Sequence, residues 1–180
     1  MDAKDIERYL SLVGAELQAM NMQEPIQLLL IGGGYMLTQV CNRTVTGDID
    51  AMFMDTDVYS DSEVYRLFQA AVNFVANDEA LEPSWLSTDV GDFLRIAGPF
   101  PKVTLWKKFG PLHVYIPPKQ FILVHKLLAG REKDRDDIDA LCHQLGINTR
   151  KKAQQILDAY IKKEIQDNSE VATTLDDFFQ

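Results

Sequence analysis

Apolar and polar residues alternate in the first half of the chain with the periods of helices and strands. Apolar residues recur at helical spacing over residues 4–21, which predicts an amphipathic first helix. The run over 26–31 is short, nearly all apolar and followed by three glycines, so it predicts a buried central strand. A short helix and a second strand over 48–54 follow, and Ser60 or Asp61 is expected to cap a third helix. The predicted order of elements is αβαβα.

The second half of the chain changes from strand to helix patterns. Residues 85–116 are rich in β-forming side chains and contain a Gly-Pro turn. They predict two or three further strands, one of them at 93–96, with at least one pair forming a hairpin. A pair of prolines then opens a helix, and further helices are expected at about 134–146 and 149–166.

Length and composition suit one globular domain. The 180 residues are 46% apolar and 25% charged, and no repeat or low-complexity linker divides them. We therefore expect a single α+β (α/β) domain over 1–180. It should contain a mixed sheet flanked by helices within 1–116 and a helical C-terminal part over 117–180.

Charge and apolar runs narrow the class of protein further. No apolar run approaches the roughly 20 residues of a membrane-spanning helix, and the acidic amino terminus differs from a secretory signal. We therefore expect a cytoplasmic protein without membrane contact. The formal charge of −9 disfavours general DNA binding, because DNA is itself a polyanion. The two cysteines form no ligand pattern, which argues against a zinc site.

Three glycines at 32–34 directly follow the predicted central strand and precede a helix. In that position backbone amides can approach a phosphate closely, although three glycines also suit a simple tight turn. Asp48 and Asp50 stand two apart on the next predicted strand, so both carboxylates project from one face, about 6.6 Å apart. Such a pair suits a hard cation such as Mg²⁺, and the alternative is a solvated turn with two incidental acids.

These segments together resemble the signature of a known superfamily. Residues 31–37 (Ile-Gly-Gly-Gly-Tyr-Met-Leu) and 43–50 (Arg-Thr-Val-Thr-Gly-Asp-Ile-Asp) resemble the Gly-Gly/Ser and Asp-x-Asp motifs of the DNA polymerase β-like nucleotidyltransferase superfamily. They are most similar to its bacterial branch of abortive-infection and toxin-type nucleotidyltransferases and their uncharacterised relatives. A second motif of that branch is similar to residues 126–138 (Lys-Leu-Leu-Ala-Gly-Arg-Glu-Lys-Asp-Arg-Asp-Asp-Ile). The resemblance therefore spans roughly residues 26–145.

The resemblance implies a metal-dependent enzyme that transfers a nucleotide from a nucleoside triphosphate (NTP) to an acceptor hydroxyl. Gly33 and Gly34 would bind the triphosphate, while Asp48 and Asp50 would be catalytic and would bind Mg²⁺ or Mn²⁺. Lys126 would neutralise phosphate charge. The acceptor would be a tRNA or a protein, the activity would be toxin-like, and a cognate antitoxin would be a further partner.

Four more residues complete the candidate site. Arg43 and Thr46 are expected to shape the loop beside the nucleotide. Lys126 and Arg131 are expected to converge near the nucleotide phosphates and near Asp134, which should point inward from a helix. Lys126 and Asp134 join the two acids as catalytic candidates. The alternatives are that the Lys126 side chain extends to solvent and that Asp134 caps the helix.

Two departures from the family pattern keep a second function open. Many members of the superfamily have serine after the first glycine of the motif, where this chain has glycine again. The family also uses a third carboxylate on a later strand, where this chain offers His113, with Asp89 and Asp92 as substitutes. The alternative function is a non-catalytic module that binds a nucleotide or a protein partner. A C-terminal segment over 171–179 would then dock the partner, or else it packs on the protein's own core.

Overall fold

The fold comes from a computed structural model that describes residues 1–58, 61–89 and 91–179, without the side chains of residues 91 and 92. Within these stretches, none of the helices combines the length and the apolar character that crossing a membrane requires. The helix predicted over 149–166 is divided into two helices, Arg150–Tyr160 and Lys163–Asp167.

The chain divides into two compact units. The first is Met1–Gly91 with Val103–Ile116, and the second is Asp92–Lys102 with Pro117–Gln180. The division after Ile116 falls where the sequence predicts the beginning of the helical part, and the segment that precedes Val103 joins the helical unit. The prediction of a single domain stays a prediction.

The first unit contains a mixed sheet. Its elements are helix α1 (Ala3–Ala19), strand β1 (Ile26–Ile31), helix α2 (Gly32–Tyr35) continuing as a π-helical turn (Met36–Val40), strand β2 (Ile49–Phe53), helix α3 (Glu63–Asp78), and strands β3 (Leu86–Ser87), β4 (Thr104–Phe109) and β5 (Leu112–Ile116). Their order in the sheet is β3-β2-β1-β5-β4, in which β1 runs antiparallel to β2 and parallel to β5. The predicted mixed sheet and the β4–β5 hairpin are confirmed.

Helices α1 and α3 cover one face of this sheet. Leu28 and Phe53 are paired in register and buried, and the Phe53 ring meets the Phe68 ring of α3 with centroids 5.0 Å apart. Val13 of α1 is also buried, and α1 contacts both α3 and β5. Full burial of each such side chain contributes roughly 1.5–3 kcal/mol, so this layer forms the core of the first unit.

The second unit is helical, as predicted for the C-terminal part. Its elements are helix α4 (Gly91–Ala97), which begins at the boundary, helix α5 (Lys119–Ala129), a 3₁₀ turn (Glu132–Asp134), and helices α6 (Arg135–Leu145), α7 (Arg150–Tyr160), α8 (Lys163–Asp167) and α9 (Val171–Phe178). Helix α5 contacts α6, α7 and α9. Val171 and Leu175 are buried, so the C-terminal segment packs within its own unit.

The predicted strand at 93–96 is wrong, because these residues belong to helix α4. The next residue, Ala97, is buried, and its carbonyl accepts a hydrogen bond from the backbone N–H of Lys162 (2.8 Å). Contacts with the helical unit therefore decide the conformation of this segment against the β propensity of its side chains.

The cap of α3 also differs from the prediction. The Ser62 hydroxyl accepts a hydrogen bond from the backbone N–H of Tyr65 (3.1 Å), so Ser62 is the N-cap rather than Asp61. Ser60, the other predicted cap, lies outside the described residues. The helix itself is confirmed over Glu63–Asp78.

Candidate functional site

The glycine corner, residues 32–34, turns the chain from β1 into α2. Gly32 has a φ of +59°, a left-handed conformation that residues with a side chain rarely adopt. A methyl group added at Gly32 would overlap the Asp50 carboxylate, and one added at Gly33 would overlap the Thr46 hydroxyl. The absence of side chains therefore lets two polar groups lie directly against the backbone of the corner.

The position of the two candidate metal ligands follows from the pairing of β1 with β2. Asp50 is half-buried and pairs in register with Ile31, the residue before the corner. Asp48 is exposed and precedes β2, which begins at Ile49 rather than at residue 48. An extended chain directs residues two apart to the same side, so Asp48 is expected to face the side on which Asp50 meets Gly32.

The loop between α2 and β2 is held against the corner by Thr46. Thr46 is buried, and its hydroxyl donates a hydrogen bond to the carbonyl of Asp48 (3.1 Å). Its backbone N–H donates to the carbonyl of Met1 (2.9 Å). A methyl group at Gly33 would lie 3.3 Å from Nη1 of Arg43. The structure thus brings Gly33, Arg43 and Thr46 together, and their role in nucleotide binding stays a prediction.

Gly34 differs from the two glycines before it. It is buried, and a methyl group added there would lie 3.2 Å from Leu30 and 3.8 Å from Ile6 of α1. Gly34 therefore faces the core and has only backbone groups to offer a phosphate. Its predicted contact with the triphosphate stays a prediction, and Gly32 and Gly33 are the glycines that meet the polar side chains of the corner.

The corner fits a divalent cation that arrives together with phosphate oxygens. Mg²⁺ in such sites is bound through one or two carboxylates and completed by substrate phosphates and water. Asp48 and Asp50 would supply the two carboxylates, and the contact of Asp50 with Gly32 leaves no room for a side chain beside the corner. Among the residues that the structure describes, no three His, Cys, Asp or Glu side chains form a metal site.

His113 lies away from the corner, so it does not stand in for the third carboxylate of the family pattern there. Strand β5 lies inside the sheet, and His113 pairs with Gln27 at the beginning of β1, whereas the corner follows the end of β1. Asp89 lies two residues beyond the end of β3, in a turn where its backbone N–H donates a hydrogen bond to the Ser87 hydroxyl (3.4 Å). The side chain of Asp92 lies outside the described residues.

The later candidate residues form a buried ion cluster in the second unit. Lys126 Nζ lies 2.6 Å from Oδ1 of Asp134 and 2.7 Å from Oδ2 of Asp137. Arg131 Nε donates to Oδ2 of Asp134 at 2.6 Å. Lys126, Asp134 and Asp137 are 6%, 3% and 1% exposed, so the predicted convergence of Lys126 and Arg131 on an inward-pointing Asp134 is confirmed.

The geometry of this cluster bears on both alternative interpretations. Asp134 stands at the N-cap position of α6, but its side chain makes no capping hydrogen bond, and Lys126 ends on two carboxylates rather than in solvent. Burial opposes ionisation of Asp134, but hydrogen bonds from Lys126 and Arg131 outweigh it and hold the pKa of Asp134 below its ordinary value. The phosphate role of Lys126 and the catalytic role of Asp134 stay predictions, and the contacts favour a structural role. Asp137, which the predicted site lacks, was signalled by its position one helical turn after Asp134.

His125 on α5 is a buried imidazole in the same unit. Neither of its ring nitrogens has a hydrogen-bond partner among the described residues, and its ring meets Phe121 with centroids 4.4 Å apart. Burial lowers the pKa of His125 from 6.5 to about 4. Because the folded-state pKa lies below the unfolded one, the stability that neutral His125 contributes is complete above pH 6.5 and is lost as the pH falls towards 4.

We expect His125→Phe to remove most of this acid sensitivity. Wild-type protein should lose about 2 kcal/mol more of its free energy of unfolding than the variant between pH 7 and pH 5, measured by urea denaturation. His143→Phe is the matched control, since His143 is an exposed histidine on α6 and its replacement should leave the wild-type pH dependence in place. Parallel pH profiles for the wild type and His125→Phe would contradict the assignment.

Comparison with known proteins adds no evidence to that of the sequence motifs. No protein family, curated protein or solved structure matches the chain. The resemblance to nucleotidyltransferases therefore rests on residues 31–37, 43–50 and 126–138, together with the geometry of the corner described above.

Proposed function

We propose that the chain is a metal-dependent nucleotidyltransferase that transfers a nucleotide from an NTP to an acceptor hydroxyl. The observation that carries this proposal is the contact of the Asp50 carboxylate with Gly32, which only a glycine permits. An acid held against a backbone turn, with a second acid two residues earlier, would suit a phosphate-bound Mg²⁺, which proteins hold through one or two carboxylates together with substrate phosphates. A simple tight turn would not need either acid.

Each residue of the corner would have a distinct task. Backbone N–H groups of residues 32–34 would donate to triphosphate oxygens, and the Arg43 guanidinium would add positive charge beside them. Asp48 and Asp50 would hold Mg²⁺ or Mn²⁺, which when bound supplies electrostatic stabilisation of the phosphate charge. Thr46 would keep the loop closed through its hydrogen bond to the carbonyl of Asp48.

The proposed reaction is an in-line exchange at the α-phosphorus. The acceptor oxygen forms a bond to the α-phosphorus and releases its proton, while the bond from the α-phosphorus to the bridging oxygen breaks and pyrophosphate leaves. Negative charge is redistributed over the phosphate oxygens during this exchange. Fixed donors at the corner would accelerate it most if they face those oxygens, because a preorganised site needs no rearrangement during the reaction.

The motif resemblance extends the proposal to the acceptor and to the biological role. The acceptor would be the end of a tRNA or a protein hydroxyl, and the activity would be toxin-like and restrained by a cognate antitoxin. With a formal charge of −9, the chain repels a long nucleic-acid backbone, so a tRNA acceptor would be contacted locally at its end.

Transfer of labelled nucleotide tests the proposal. Purified protein is incubated with each labelled NTP, Mg²⁺ or Mn²⁺, and either total tRNA or cellular protein, and a labelled acceptor is expected. Asp48→Asn combined with Asp50→Asn should lower the rate at least about 100-fold, because the charge that holds the metal is removed. Asp55→Asn with Asp57→Asn is the control, as it neutralises two exposed acids at the same spacing in the next loop. Undiminished transfer by the first double variant would overturn the proposal, and nucleotide binding without transfer would favour the non-catalytic module.

A further inference from the structure

The exposed segment, residues 93–100 of the second unit, carries three large apolar side chains into solvent. Phe93 and Ile96 of α4 are 53% and 60% exposed, and Phe100, three residues after the end of α4, is 46% exposed. Phe93 and Ile96 are three residues apart and share one face of the helix. Among the residues that the structure describes, the other exposed large apolar side chains belong to the first unit: Val45, Phe74 and Leu105. Exposed apolar side chains grouped in this way mark contact surfaces.

Backbone contacts within the second unit hold the exposed segment in place. Ala97 is buried, and its carbonyl accepts the hydrogen bond from the backbone N–H of Lys162 (2.8 Å). A methyl group added at Gly98 would overlap the carbonyl of Tyr160 at the end of α7, so the chain passes directly against that helix. The second unit itself therefore fixes the end of α4, while the apolar side chains of the segment stay in solvent.

The distribution of charge indicates which partner can meet this segment. The first unit contains 15 acidic and 6 basic residues, a difference of nine that equals the net charge of the whole chain, and the second unit contains 12 of each. A strongly basic partner would be attracted to the first unit, and a strongly acidic one would be repelled by it. A second copy of the neutral unit meets neither effect. Repulsion between the first units of two copies is screened beyond about 8–10 Å at physiological salt.

The exposed area determines how strong such a contact can be. Large side chains of this kind bury about 150–250 Å² each, so at these exposures the three leave on the order of 300 Å² of apolar surface in water. A stable interface buries about 800 Å² on each partner. The exposed segment therefore suits the apolar centre of a weak interface rather than that of a permanent one.

We infer that the exposed segment is the contact between two copies of this chain in a weak, two-fold symmetric dimer. Two-fold symmetry presents the same residues from both copies, so one apolar face covers the other. Screening of the acidic first units by salt leaves the apolar contact in place, so salt strengthens the dimer. The inference is independent of the proposed function, because it uses no residue of the glycine corner.

Sedimentation equilibrium of the full chain over a range of concentrations measures this association. The wild type should pass from monomer to dimer with a dissociation constant on the order of 10–100 µM. Association should tighten when the salt is raised from about 0.05 M to about 0.3 M. Phe93→Glu should weaken association at least about tenfold. Phe74→Glu is the matched control, because it makes the same substitution at a phenylalanine of α3 that is 52% exposed, and it should associate like the wild type.

Ile96→Glu tests the same face if Phe93→Glu folds poorly, and it should weaken association to a similar extent. A wild type that stays monomeric up to about 1 mM would overturn the inference. Wild-type association in both face variants, or equal weakening by Phe74→Glu, would do the same. Association that weakens as salt is added would show that opposite charges hold the copies together, which also contradicts an apolar contact. None of these results bears on the nucleotide-transfer test of the proposed function.

Discussion

Replacing Lys126 with methionine will lower the free energy of unfolding by about 3–5 kcal/mol. Methionine fills a similar volume, but it leaves the carboxylates of Asp134 and Asp137 buried without the cation that lies between them. Arg131 contacts Asp134 from an exposed position and cannot replace Lys126 at Asp137. Urea denaturation followed by circular dichroism at pH 7 measures the loss.

Two further variants separate the ion cluster from a general effect of losing a lysine. Lys133→Met removes an exposed lysine from the same segment and should change the free energy of unfolding by no more than about 0.5 kcal/mol. Adding Asp134→Asn and Asp137→Asn to Lys126→Met should recover much of the lost stability, because neutral amides cost less to bury than carboxylates that have lost the Lys126 cation. Equal losses in Lys126→Met and Lys133→Met would show that the cluster does not support the second unit.

Gly32→Ala will weaken binding of Mg²⁺ with a non-hydrolysable NTP at least about 100-fold and destabilise the protein by about 2 kcal/mol. The left-handed backbone at Gly32 disfavours any side chain, which accounts for the loss of stability. The added methyl group also overlaps the Asp50 carboxylate and forces it away from the corner. Isothermal titration calorimetry gives the affinity, and thermal unfolding gives the stability.

Gly47→Ala is the matched control for this substitution. It changes a glycine in the adjoining loop, where a methyl group would meet no atom within 4 Å. Its affinity for the metal and nucleotide should equal that of the wild type, with stability changed by no more than about 1 kcal/mol. A comparable loss of metal and nucleotide binding in both variants would mean that loop flexibility, rather than the contact of Asp50 with Gly32, determines binding.

The central strand and the corner are the features that local sequence patterns predict best. The apolar run that predicts a strand over 26–31 forms β1 with these bounds, because a strand buried between two others needs apolar residues at nearly every position. The position of Asp50 beside the glycines follows from the antiparallel pairing of β1 with β2, which are consecutive strands joined through α2 and its π-helical turn.

Local sequence patterns do not predict contacts between residues that are far apart in the sequence. Ser87 pairs in register with Asp50 because β3 lies beside β2 in the sheet, although α3 separates the two strands in the sequence, and no periodicity in the sequence specifies that register. The contacts of the Lys126 ammonium group depend on where α6 places Asp134 and Asp137. The sequence alone therefore does not distinguish a lysine that binds phosphate from one that belongs to a buried ion cluster. The strand predicted at 93–96 fails for the same reason, because the helical unit fixes its end.

Calorimetric binding of Mg²⁺ and a non-hydrolysable NTP to the wild type, and to the variant with Asp48→Asn and Asp50→Asn, tests the corner most directly. We expect the wild type to bind the nucleotide in a metal-dependent manner, and the double variant, shown to be folded by circular dichroism, to bind at least about 100-fold more weakly. Equal affinities of the two proteins, or nucleotide binding that does not respond to Mg²⁺, would contradict a site built from the glycine corner and its two acids.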